Sequence, residues 1–100
     1  MWKLNSRVGW FIMRSLVTYR ELEHLLLSHG FELNRVKGSH HLFVHSPSDT
    51  TIMLPEDSSS RPALPSQVAA VERILDERGL LSRDQFEASL RRNGHTTARR

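Results

Sequence analysis

The chain has 100 residues, 38% of them hydrophobic, and no cysteine, which leaves room for one small domain and excludes a disulfide framework and thiolate chemistry. The formal charge of +3 sits in the ends, with Lys3, Arg7 and Arg14 in residues 1–17, Arg91, Arg92, Arg99 and Arg100 in residues 91–100, and no acid in either stretch. Residues 18–90 set seven basic against eleven acidic side chains, a net of −4, so overall basicity is no argument that the body binds nucleic acid.

Residues 1–17 read as an N-terminal extension. Its apolar run Trp10-Phe11-Ile12-Met13 ends at Arg14. That is shorter than a signal peptide's apolar region of about 7–15 residues and far short of the roughly 20 residues that span a bilayer. Met13 stands as an alternative start to Met1. Thr18-Tyr19-Arg20-Glu21 is a capping box. Leu22, Leu25 and Leu26 follow at helical spacing, and Gly30 supplies a left-handed stop, which predicts a helix over 19–29. Phe31 to Val36 reads as a strand with Phe31 and Leu33 on one face. Lys37-Gly38-Ser39 turns the chain, and His40 to His45 forms a second strand. Ser46-Pro47-Ser48-Asp49 is a turn cluster, and Thr50 to Leu54 is a third strand rich in β-branched residues. Short connections between the strands predict an antiparallel meander.

Pro55 to Ala63 reads as a polar loop. Pro65 suits the first turn of a second helix with Val68, Val71, Ile74 and Leu75 as its apolar stripe and Gly79 as its stop. Ser82-Arg83-Asp84-Gln85 is a second capping box and opens a short third helix with Phe86 and Leu90 turned inward. Residues 92–100 read as a basic disordered tail. The expected architecture is α+β: a two-layer α-β-β-β-α sandwich with a three-stranded antiparallel sheet, both helices on one face, and a short C-terminal helix. The apolar residues suffice to cover one sheet face, so the other is left open to solvent and ligands.

The richest segment for function is Arg35-x-Lys37-Gly38-Ser39-His40-His41-Leu42-Phe43-x-His45. With Thr18-x-x-Glu21-Leu22, His29-Gly30-Phe31 and the later Ile74-Leu75…Gly79-Leu80-Leu81-Ser82…Phe86, it resembles the HicA toxins of bacterial type II toxin–antitoxin pairs over about residues 18–90, within a HicA-like domain bounded at 18–91. That resemblance implies a fold like a double-stranded-RNA-binding domain, cleavage of mRNA in the cytoplasm, and a HicB-like antitoxin that masks the active face. By position it implies that His40 is catalytic and that Gly38 and Ser39 form the turn presenting it. The chain departs from the family in its N-terminal segment, its longer C-terminal end, and the loop Pro55-Glu56-Asp57-Ser58-Ser59-Ser60-Arg61, which is often lysine-rich in relatives. Two acids there repel phosphate, and they motivate the alternative of a non-catalytic RNA-binding or antitoxin-binding module on the same fold.

RNA carries its own nucleophile, the 2′-hydroxyl, so cleavage needs only proton removal there and proton delivery to the departing 5′-oxygen. Imidazole, titrating near neutrality, can do either. Lys37 and then Arg35 are the nearest cations for phosphorane charge, though both are equally well read as solvated strand charges. Ser39 and the amides around Gly38 can contact phosphate or simply close the turn. Period two puts His40, Leu42 and Val44 on one face and His41, Phe43 and His45 on the other. Burial of the largest ring favours Phe43 inside and His40 outward. His41 and His45 then serve packing or hydrogen bonding. They are about 13 Å apart at ~3.3 Å per residue, too far for one ion at zinc–nitrogen bonds of about 2 Å. No metal site and no small-molecule cofactor are expected, and no membrane partner.

Overall fold

The computed structural model describes residues 16–35, 40–55 and 62–99, with Arg35 and residues 92–99 described by backbone alone. The elements are α1 (Tyr19–Ser28), β1 (Glu32–Arg35), β2 (His40–His45), a short 3₁₀ turn (Ser46–Ser48), β3 (Thr50–Pro55), α2 (Pro65–Glu77) and α3 (Arg83–Arg99). The three strands form one antiparallel sheet in the order β1-β2-β3, as the meander reading predicts.

Local chemistry sets the ends of the helices. Thr18 caps α1 reciprocally: its hydroxyl accepts from the Glu21 amide at 3.1 Å, and its own amide donates to Glu21 Oε1 at 2.9 Å. At the other end Gly30 has φ +91°. Beyond it the Phe31 amide reaches back to the Leu26 carbonyl at 3.0 Å and the Gly30 amide to Leu27 at 3.3 Å. This double closure satisfies two orphan carbonyls and brings the Phe31 ring down on the core. Gly79, at φ +71°, repeats the device after α2 through Leu80 N to Leu75 O at 2.9 Å. Pro65 occupies the first turn of α2, and Ser82 and Gln85 exchange side-chain and amide bonds ahead of α3. Thr18→Ala should cost about 1 kcal/mol, since the Glu21 amide loses its hydroxyl acceptor; urea denaturation would show it as a lowered midpoint with an unchanged slope.

One hydrophobic cluster joins the layers. Leu22, Leu25 and Leu26 of α1, Val68, Val71 and Leu75 of α2, and Phe86 and Leu90 of α3 meet Phe43, Ile52 and Leu54 from the sheet. Cross-strand register shows which sheet face this is. Leu33, Phe43 and Ile52 form one rung, and Asn34, Leu42 and Met53 form the next. Phe43 is 0% exposed whereas Met53 is 54% exposed. The helices therefore cover the Phe43 face and leave the Met53 face open.

The core reaches further than the sequence suggests. Val17 and Ala63, read as parts of the N-terminal extension and of a polar loop, are both buried and are joined by the Ala63 amide donating to the Val17 carbonyl at 2.6 Å. Thr18 and Pro62 pair beside them. Tyr19 adds a hydroxyl that bonds Gln67 on α2. The third helix also differs from expectation. It is not short: its 17 residues run to Arg99, so the segment expected to be a tail has helical backbone. Lack of apolar residues after Leu90 suggested disorder. Yet residues 84–99 contain no proline, Asp84 stands in the first turn, and Glu87 pairs with Arg91 one turn on, all of which favour helix.

Candidate active site on the open sheet face

β2 carries three histidines, and the pleat separates them. His41 and His45 share the Phe43 side, and each has a structural partner. His41 Nδ1 lies 3.1 Å from Glu23 Oε2 on α1, and its ring meets Phe43 edge-on at 6.2 Å. His45 Nδ1 lies 2.7 Å from Ser48 Oγ, which lies 2.7 Å from the buried Thr50 hydroxyl. The His45 ring also tilts onto Phe31 at 5.2 Å, beside Gly30, where an added Cβ would stand 3.3 Å from the ring. These contacts bear out the expectation that the two rings pack and hydrogen-bond.

His40 is different. It is the first residue of β2, it is exposed, and its rung partner is Pro55. Pro55 has no N–H to carry the ladder further and ends β3 there. The outward orientation follows from burial of Phe43, as the sequence favours. Leu42 and Val44, partly buried, lie along the same face, with Met53 and Thr51 exposed beside them on β3 and Asn34 and Glu32 exposed on β1.

Arg35 pairs with His41, not with His40. Its backbone therefore occupies a register position belonging to the helix-covered face, one residue out of step with the catalytic candidate. Lys37, Gly38 and Ser39 lie outside the described residues, as do the acids Glu56 and Asp57. Among the described strand residues, Glu32 is the one permanently charged residue whose register belongs to the open face. The imidazole thus stands at the end of a largely neutral, partly apolar surface. Among the described strand residues no lysine or arginine has a register position on that face.

Glu23 was not singled out by the sequence. No local pattern marks it, because its partner lies 18 residues away and the pair exists only once α1 crosses β2. Among the described residues no three His, Cys, Asp or Glu side chains converge in metal-binding geometry, and no helix is long and apolar enough to cross a membrane.

A family model described as the HicA toxin of bacterial toxin-antitoxin systems matches residues 19–75. The chain belongs to the HicA toxin family. The match takes in α1, all three strands, α2 as far as Leu75 and every predicted site position, and it leaves α3 outside. No curated protein and no solved structure matches the chain. Membership makes this HicA protein the toxin of a pair, with a cognate antitoxin as its partner.

Proposed function

We propose that this HicA toxin is a metal-independent endoribonuclease that cleaves mRNA in the cytoplasm, with His40 as its proton-transfer group. The supporting observation is the exposure of His40 on the uncovered sheet face, within the segment that carries the family match. In this reading the 2′-oxygen loses its proton and attacks the adjacent phosphorus. The bond to the 5′-oxygen breaks, and that oxygen takes up a proton. The products are a 2′,3′-cyclic phosphate and a 5′-hydroxyl. His40 serves one of the two proton transfers, each typically worth ~10²–10⁴-fold. Lys37 and then Arg35, both just upstream of β2 in the sequence, supply positive charge for the phosphorane, and Gly38 and Ser39 supply amides and a hydroxyl. A HicB-like antitoxin covers this face, with Leu42, Val44 and Met53 as its apolar footing.

The purified toxin with single-stranded RNA and EDTA should give fragments with cyclic-phosphate and 5′-hydroxyl ends, and 2′-O-methylated RNA should survive intact. Cleavage that stops with EDTA and leaves 5′-phosphates would overturn the chemistry. Salt-sensitive RNA binding with no cleaved ends would establish the alternative, a non-catalytic binding module.

A further inference from the structure

After Leu90, the last buried residue of α3, the chain has one apolar residue, Ala98, and no acid follows Glu87. Helical backbone nevertheless continues to Arg99. At about 100° per residue, positions 91, 95, 99 and 92 fall within an arc of roughly 100°. Phe86 and Leu90, which anchor α3 in the core, fall on the opposite side of the helix. Positions 91, 92, 95 and 99 therefore share one side of the helical backbone, about 12 Å long at 1.5 Å per residue, opposite positions 86 and 90. Arg91 is exposed and is held by Glu87 across one helical turn. Such an exposed pair is weak enough to exchange for phosphate.

A helix that docks in a protein groove needs apolar anchors at helical spacing, and one that lies on a membrane needs an apolar face. Residues 91–99 have neither. What the stripe offers is positive charge alone, which suits a polyanion. The body needs such a source: residues 18–90 carry −4, and the open face around His40 contributes Glu32 among its described residues. We infer that the Arg91–Arg92–His95–Arg99 stripe of α3 is a second RNA-binding element, a sequence-independent phosphate anchor that supplies affinity the acidic body lacks. This inference rests on the RNA-substrate reading of the His40 face.

Binding of fluorescent single-stranded 2′-O-methyl RNA, which has no free 2′-hydroxyl and stays intact, should be measured between 50 and 200 mM salt. The full-length toxin is compared with a variant carrying Arg91→Gln, Arg92→Gln and Arg99→Gln, and with the corresponding arginine-to-lysine variant. Each phosphate neutralised on a single strand contributes about 0.7 to the slope of log affinity against log salt. The glutamine variant should therefore lose about 2 from that slope. The parent's advantage over it should shrink by roughly 20-fold across the fourfold salt range. The lysine variant should keep the parental slope, since a point charge suffices, and far-UV circular dichroism should show all three folded alike. Equal slopes for parent and glutamine variant, with salt-sensitive binding in both, would overturn the anchor and leave the RNA reading intact. A parent that shows no salt-sensitive binding would overturn both.

Discussion

Replacing His40 by alanine should abolish growth arrest on induced expression and lower the rate of RNA cleavage by roughly 10²–10⁴-fold, the usual worth of one positioned proton transfer. The fold should be indifferent to the change, because His40 is exposed at the first residue of β2 and is not part of the buried cluster; exposed substitutions typically stay within about 0.5 kcal/mol. Loss of activity and retention of stability would thus separate in one variant. His41→Ala is the matched control. It sits one residue along the same strand but on the other face, held by Glu23, so it should lower stability modestly and leave the cleavage rate close to the parent's. A His40→Ala protein that still arrests growth and cleaves RNA at the parental rate would remove the imidazole from the mechanism. A His41→Ala protein that is stable and inert would instead show that the assignment of His41 to structure alone is wrong.

Phe43→Ala should have the largest effect on the fold. The ring is fully buried, and its rung neighbours are Leu33 and Ile52. Truncating a buried phenylalanine typically costs about 3–5 kcal/mol through lost transfer energy and the cavity left behind. A domain of this size holds only some 5–15 kcal/mol in total, so the variant should be near its unfolding threshold at 37 °C and inactive for that reason. Met53→Ala, on the opposite face of the neighbouring strand and 54% exposed, should cost little. A Phe43→Ala midpoint in urea within experimental error of the parent's would contradict the assignment of the covered face, and with it the outward placement of His40.

Much of this architecture was legible in the residues because the signals are local. The Thr18–Glu21 box, Gly30, Pro65, Gly79 and the Ser82–Gln85 box each act within one turn of chain, and each acts as the sequence suggests. The orientation of β2 was legible from period two combined with the size of one ring. What was not legible depends on chain segments far apart. The pairing of Thr18 with Pro62, and with it the burial of Val17 and Ala63, joins positions 44 residues apart. The tie between Glu23 and His41 requires α1 to cross the sheet. Arg35 looked adjacent to His40 along the chain, but strand register aligns it with His41. The length of α3 was missed for a different reason: amphipathic patterning stops at Leu90, whereas the backbone's helical preference does not.

The segment from Pro55 to Pro62 has a further consequence. It starts at the strand partner of His40, and it ends where the chain is stapled to the start of α1. Both anchorages are fixed by the fold, and the closure entropy between two such points grows slowly with length, about 0.6 kcal/mol for each doubling. Charge can therefore change in the sequence just after the rung partner of His40 without altering either anchorage. Glu56 and Asp57 occupy the place where such a lineage would record a change of diet.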